Sequence, residues 1–215
     1  MSDDMQQFRK EYSEDGLDIS DMHTSPFNQF QDWFSTAAAT GMQEPNGMVL
    51  STVDETGRPS GRVVLLKAWD HRGFVFYTNY ESRKALAMKA NPVASLTFWW
   101  GQFDRQIRIE GRIEKASAEE SDAYYHSRPR GSQLGAWTSP QSQKLENRDA
   151  LQSLYQETEE RFAEDEIIPR PEFWGGYRLV PDRFEFWQGR KSRLHDRLTY
   201  DLSSDGTWDM SRLAP

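Results

Sequence analysis

Arg193, His195 and Arg197 stand two apart in Arg193-Leu194-His195-Asp196-Arg197, shortly after Phe186-Trp187-Gln188-Gly189. The two segments read as strand ends around a basic, Gly-containing turn. Side chains on a strand alternate between faces, which puts the three nitrogen-rich side chains on one face and Leu194 on the other. At ~3.3 Å rise per residue that face spans roughly 13 Å, about the length of a fused aromatic ring system. Two guanidiniums flanking an imidazole suit an anionic, planar ligand that exchanges protons or hydride. The same pattern also describes the solvated face of an antiparallel strand.

Arg83-Lys84 is a second candidate, placed just after a strand-like run and at the first turn of a helix-like one. Two cations beside free helix N–H groups make a phosphate site. No Gly-x-Gly-x-x-Gly joins a strand to a helix, and no Walker-type Gly-Lys-Ser/Thr occurs. A phosphate is therefore expected to be held mainly by side chains, not by a dinucleotide fold.

Composition narrows the ligand class. The 215 residues carry a net charge of −8, which argues against a nucleic-acid binder. The Lys and Arg residues concentrate at 105–112, 128–130 and 190–197, so local cationic pockets on an acidic chain point to small anions. With no cysteine and no paired histidines, neither thiolate chemistry nor a metal site is expected. The polar, acidic N-terminus lacks an apolar signal core, and no apolar run approaches the ~20 residues of a membrane span. A cytoplasmic protein, off the membrane, is the expectation.

The elements that must position these residues are mostly short strands. Residues 1–24 read as a mobile tail, and 25–215 as one domain. Ser25 and Pro26 open a helix whose Phe27, Phe30, Phe34 and Ala37 follow helical spacing up to Gly41. Strands are expected over 48–53, 62–69, 74–79, 93–100, 105–114, 176–180, 183–187, 192–200 and 207–210. Helices are expected over 82–90, 118–126 and 144–165, the last with Leu151, Leu154, Tyr155, Thr158 and Phe162 packed on a sheet. Residues 127–143 read as a long binding loop. Tight turns between short strands argue for an antiparallel barrel with peripheral helices.

Several of these segments resemble the pyridoxine/pyridoxamine 5′-phosphate oxidase family. They are Arg62-Val63-Val64-Leu65-Leu66-Lys67, Tyr77-Thr78-Asn79, Ser82-Arg83-Lys84, Arg105-Gln106-Ile107-Arg108, His126-Ser127-Arg128-Pro129-Arg130, Ser132-Gln133, Gln141-Ser142, Phe173-Trp174-Gly175-Gly176 and the 186–197 region, with Arg212-Leu213-Ala214-Pro215 closing the chain. They follow family order from about Arg9 onward. The resemblance implies a split β-barrel that binds FMN and assembles as a homodimer with FMN at the subunit interface. It places the FMN phosphate on Arg83 and Lys84. The rest of the cofactor lies against Arg62, Val63, Val64, Leu65, Leu66, Lys67, Tyr77, Thr78, Gln106, Gln141, Ser142, Trp187 and Arg197. Val63 to Leu66 are otherwise most simply core.

The resemblance also implies that Lys67, Tyr124, Arg128 and Ser132 grip the phosphate of the substrate, pyridoxine or pyridoxamine 5′-phosphate. Arg193 and His195 would meet the carbon that is oxidised. Hydride would pass from the 4′ carbon to flavin N5, O2 would reoxidise the flavin to give H2O2, and Arg197 would stabilise the reduced ring. His195 is a candidate for proton removal; which residue is the base, if any, stays open. Arg9 and Tyr12 match a segment that folds over substrate in this family, and Lys10 stands where some relatives have Arg. Arg62 and Lys67, five apart, would face opposite sides of a regular strand unless a bulge intervenes. The rival readings are a non-catalytic flavin or pyridoxal-phosphate binding protein, and a split-barrel flavoenzyme acting on haem or nitro compounds.

Overall fold

The structure, a computed structural model, describes residues 11–12 and 16–215. Arg9 and Lys10 lie outside the described residues. The element order is α1 (Pro26–Ala39), β1 (Gly47–Val53), β2 (Pro59–Leu65), β3 (Ala68–Asp70), β4 (Gly73–Asn79), α2 (Arg83–Ala90), β5 (Val93–Trp100) and β6 (Arg105–Lys115). There follow α3 (Ala118–Ser127), α4 (Arg130–Thr138), α5 (Arg148–Arg161), β7 (Trp174–Gln188), β8 (Asp196–Leu202) and β9 (Trp208–Leu213). The strands form one antiparallel sheet in the order β2-β1-β5-β6-β7-β4-β3, and β8 pairs with β7 and β9. Antiparallel β with peripheral helices is the architecture expected from the turns.

β7 organises this sheet. It runs along β6 from Tyr177 to Gln188, but its other edge is divided: Trp174–Leu179 pair with β4, and Arg183–Gln188 pair with β8. The division falls where the β6–β7 register shifts at Glu110/Gly111, opposite Pro181. Proline has no N–H to give the ladder, and a bulge bends the strand there. Gly111 permits the close approach, since a Cβ on it would stand 2.1 Å from the Val180 carbonyl oxygen. The two strands expected at 176–180 and 183–187 are thus one bent strand.

α1 fills the concave side. Pro26 occupies its first turn and Gly41 follows its end at φ +72°. Phe30 is fully buried and its ring meets those of Phe34, Trp69, Phe74, Phe98 and Trp100. Trp33 meets Phe186 on β7. Leu17 and Met22, read from sequence as part of the tail, are buried in the same core. Among the described residues, no helix is long and apolar enough to cross a membrane.

Four local expectations change. Residues 62–69 are two strands, because the chain leaves β1 after Leu65 and joins β4 at Ala68. The 127–143 loop contains α4, whose Leu134 and Ala136 bury against Tyr125, Phe162 and Trp174 in a second cluster. α5 is shorter than expected and packs on α4, not on the sheet. β8 begins at Asp196, not Ser192, because the hairpin from Gln188 closes only at the Gln188–Asp196 pair.

Truncating Phe30 leaves a cavity that five neighbouring aromatic rings cannot fill without moving. Phe30→Ala is expected to cost ~3–5 kcal/mol of stability, read as a lower denaturant midpoint with little change in slope.

Candidate active site

The first cluster forms where α2 meets the sheet edge. Arg62 continues the inward row of Leu50, Leu96, Ile109 and Phe184, and its guanidinium donates to Leu50 O (2.9 Å), Thr52 Oγ1 (2.8 Å) and Ser60 Oγ (2.5 Å). Lys84 Nζ donates to Thr78 Oγ1 (2.8 Å), Gln141 Oε1 (2.8 Å) and Ser82 Oγ (3.2 Å). Arg83 is exposed beside them, at the rim of a cavity of about 510 Å³ shared with Asp54, Thr56 and Leu86. Among the described residues none of these three cations has a carboxylate ion-pair partner. Burial, reinforced by Arg62, lowers the Lys84 pKa to about 8, and burial plus Arg83 lowers that of Arg62. Three mutually repelling cations, next to the free N–H groups at the start of α2, fit a phosphomonoester.

Lys67 does not share a strand with Arg62. The Leu66 N–H donates to Asn46 O and the Lys67 N–H to Val75 O, so the chain changes partners between them. That break resolves the facing problem that five-residue spacing posed. Leu66 is buried and Val64 and Leu65 are half-buried, whereas Val63 is 69 % exposed on the opposite side from Arg62. Val63 is therefore not core.

The second cluster is aromatic and cationic. Tyr77 stacks on Tyr124 at 3.9 Å and on Trp174 at 5.7 Å. Lys67 Nζ lies 6.0 Å from the Tyr124 ring centre and the Arg128 guanidinium 4.6 Å from that of Trp174. Arg128 caps α3 in extended conformation (φ −78°, ψ 147°), as the following proline requires. One of its nitrogens, Nη1, is buried without a partner, and burial lowers its pKa. Arg128 and Ser132 line a cavity of about 200 Å³ together with Trp174 and Gln141. Gln141 thus belongs to both clusters; its neighbour Ser142 is exposed at φ 74°.

The third cluster lies at the far end of β7. Cross-strand register sets Trp99, Gln106, Trp187 and Arg197 in one row across β5, β6, β7 and β8. Arg193 and His195 do not extend that row. Lys191–Arg193 form a 3-10 turn with Ser192 and Arg193 in the left-handed region (φ 56° and 60°), because the chain must reverse before Asp196. Arg193 is exposed, while His195 folds back against Trp187 (ring centres 4.6 Å) and Tyr12 (5.2 Å). His195 Nδ1 accepts the Arg190 N–H at 3.0 Å, so the neutral ring carries its proton on Nε2 and presents a donor there. Burial, helped by Arg193, lowers its pKa and keeps it neutral.

Sequence reasoning missed two acids of this third cluster. Asp196 accepts from the Leu17 N–H (3.0 Å) and from Arg212 Nη1 (2.5 Å), and pairs with Arg190 (3.4 Å). Glu185 is buried between Arg108 and Arg197. Alternation marks residue 185 as outward-facing, and only the register with β6 and β8 reveals what covers it. The second cluster adjoins the start of β7 at Trp174 and the third its end at Trp187, while Arg62 of the first stands in the cross-strand row of Phe184.

Residues 34–161 match the family model described as pyridoxamine 5′-phosphate oxidase, and residues 174–215 match that of the pyridoxine 5′-phosphate oxidase C-terminal dimerisation region. A pyridoxine/pyridoxamine 5′-phosphate oxidase of Paraburkholderia phytofirmans is 54% identical over 210 residues, covering 97% of this chain and 98% of that protein. One of Burkholderia thailandensis is 54% identical over 209 residues, covering 96% and 97%. Among solved structures, PhzG from Burkholderia lata 383 in complex with tetrahydrophenazine-1-carboxylic acid superposes with a TM-score of 0.86 at 31% identity, over 94% of this chain and 100% of that one. A pyridoxamine 5′-phosphate oxidase-related, FMN binding protein from Nostoc punctiforme shares the fold, with a TM-score of 0.70 at 16% identity over 90% and 100%.

The Lys84 shift gives a signed expectation. With the free-protein pKa near 8, Lys84 is charged below that pH and loses its proton above it. A bound phosphomonoester favours the charged form, so affinity should fall by up to about tenfold per pH unit above 8, with proton uptake on binding. Calorimetric titration with a phosphomonoester in two buffers of different ionisation enthalpy reads both effects, and Lys84→Gln should abolish them.

Proposed function

The chain belongs to the pyridoxamine 5′-phosphate oxidase family, and from that premise we propose that it is an FMN-dependent oxidase that forms pyridoxal 5′-phosphate. Pyridoxine 5′-phosphate and O2 would give pyridoxal 5′-phosphate and H2O2. Pyridoxamine 5′-phosphate, O2 and water would give the same two products and ammonia. The observation that carries this reading is the presence of two separate anion grips linked by Gln141, one for a cofactor phosphate and one for a substrate phosphate.

Arg83, Lys84 and Arg62 hold the FMN phosphate, with Thr78, Gln141 and Ser142 around it and the 62–67 segment and Tyr77 alongside. Gln106, Trp187 and Arg197 form the row against the ring system. Bound FMN supplies the hydride acceptor and passes the electrons to O2. Arg128, Ser132, Tyr124 and Lys67 hold the substrate phosphate. Charge-assisted hydrogen bonds of ~1.5–3 kcal/mol each make that phosphate the main handle on a small pyridine. Arg193 orients the reacting carbon, and His195 donates through Nε2–H to a polar atom of the substrate. Tyr12, against His195 and Trp187, borders the pocket, and Arg9, the other substrate-contact candidate of that segment, lies outside the described residues.

Arg128 lies against Trp174 and His195 against Trp187, at opposite ends of β7, so one chain does not bring Arg193 and His195 to Arg128. A two-fold homodimer does so, with each site built from both copies. Val63, Val49 and Trp99, exposed by 69 %, 38 % and 54 %, lie on the same sheet face as Gln106 and Trp187 and supply the apolar surface for that contact.

Tetrahydrophenazine-1-carboxylic acid, the ligand of the PhzG structure, is a carboxylate without a phosphate, and the Arg128–Ser132 grip favours a phosphate ester instead. The same grip disfavours haem or nitro substrates. A merely flavin-binding or pyridoxal-phosphate-binding protein has no need of Arg193 and His195.

Peroxide release in air on adding pyridoxine or pyridoxamine 5′-phosphate tests the reading; silence with both substrates on FMN-loaded protein overturns it. Arg128→Ala should raise KM by ~10–100-fold with kcat little changed, whereas Arg193→Ala should lower kcat and kcat/KM together. At a substrate concentration well below the raised KM of Arg128→Ala, where both variants turn over slowly, mixing and reassembling them should restore about a quarter of the wild-type rate, because half the dimers are mixed and each of those has one intact site. No recovery would refute the shared site.

A further inference from the structure

Glu185 sits in the middle of the sheet face that carries the proposed flavin row, yet nothing so far gives it a role. The register places Thr97, Arg108, Glu185 and Thr199 in one cross-strand row, directly beside the row of Trp99, Gln106, Trp187 and Arg197. The Glu185 side chain is 3% exposed. Arg197 grips it side-on, Nε to Oε1 at 2.9 Å and Nη2 to Oε2 at 3.1 Å, and Arg108 Nη2 reaches Oε2 at 3.0 Å from the other side. Arg197 Nη1 also donates to Ala214 O at 3.0 Å. Three of the five guanidinium N–H groups are thereby used within the chain, leaving two. Nε of Arg108 is buried with no partner at all.

Stability alone does not account for this arrangement. A buried ion pair generally adds little over apolar packing of the same volume, and it costs several kcal/mol if one member is lost. A side-on carboxylate does give something that apolar packing cannot. It fixes the plane of the guanidinium, and therefore the direction in which its remaining donors point. Arg197 stands opposite Trp187, on a face where a long flexible side chain would otherwise sample many rotamers.

We propose that Glu185 is a positioning residue for the flavin: it holds the Arg197 guanidinium in one orientation so that its two remaining N–H groups and its charge act on the bound ring system. The inference rests on the FMN reading above. Glu185 touches neither cofactor nor substrate and acts through Arg197. Arg108 shares the carboxylate, so the triad keeps a net charge of one positive unit in place of two.

The sign of the effect on the flavin separates positioning from simple charge. Were Glu185 only a negative charge near the ring, its removal would favour the reduced, more negative flavin and raise the midpoint potential. If instead it holds Arg197 in place, its removal releases the one cation that stabilises reduced flavin, and the midpoint falls.

The experiment uses FMN-loaded dimer and reads two quantities, the FMN dissociation constant by fluorescence and the two-electron midpoint by dye-coupled reduction. Glu185→Gln is expected to weaken FMN binding about tenfold and to lower the midpoint by about 30 mV, a tenfold change in the two-electron equilibrium. In an Arg197→Gln background, Glu185→Gln should add nothing further to either quantity, as coupling through one partner requires. Glu185→Asp, which retains the carboxylate, should restore part of both. A midpoint that rises or stays unchanged overturns the proposal, and so do additive effects in the double variant. Should Glu185→Gln alone fail to fold, Arg108→Gln/Glu185→Gln also removes the second guanidinium on that carboxylate, which would keep only Glu110 as an ion-pair partner among the described residues, and is compared with Arg108→Gln by the same two readings. A folded wild-type protein that takes up no FMN overturns the flavin reading itself, a result distinct from a flavin-loaded variant that behaves like wild type.

Discussion

The continuity of β7 is the constraint from which the rest of the molecule follows. A proline at 181 ought to break a strand that is paired on both edges, and here it does so on one edge only. Gly111 lets β6 pass close by, so that ladder continues across a bulge, while the other edge changes partner from β4 to β8. The bend turns one long strand into the shared wall of two surfaces. Arg128 and Trp174 stand at its beginning and Trp187 and His195 at its end.

The two ends handle charge differently. At the first, Arg62, Arg83 and Lys84 have no carboxylate ion-pair partner among the described residues, although Asp54 shares the cavity with Arg83, and burial reinforced by repulsion lowers the pKa values of Lys84 and Arg62. At the second end four arginines are engaged by two acids: Arg197 and Arg108 by Glu185, Arg212 and Arg190 by Asp196. At an effective dielectric of 20, a unit pair at 4 Å interacts by about 4 kcal/mol, enough for either arrangement to decide where a ligand sits.

Asp196 joins parts of the chain that are far apart in sequence. Leu17, Arg190 and Arg212 all bond to it, and it lies between His195 and Arg197. Leu17, the left-handed turn at Ser192–Arg193 and strand β9 are therefore tied at one carboxylate. The turn itself keeps Arg193 exposed.

The kinds of residue needed, and the existence of most elements, could be read from the chain alone. Alternation along 105–114, the capped helix at Pro26 and the Arg83-Lys84 pair after a strand depend on neighbours in sequence, and local sterics and hydrogen bonding decide them. The segments that resemble the oxidase family likewise carried the fold class. Three features depended on pairing between distant strands. Arg193 and His195 leave the strand face, because hairpin closure at Gln188–Asp196 sets where β8 begins. Arg62 and Lys67 part company, because the chain trades β1 for β4 between them. Glu185 becomes a buried anchor and Asp196 a half-buried one, because β6, β8, β9 and the segment at Leu17 converge on them. Alternation tells which way a side chain points, but only the register of the sheet tells what it meets.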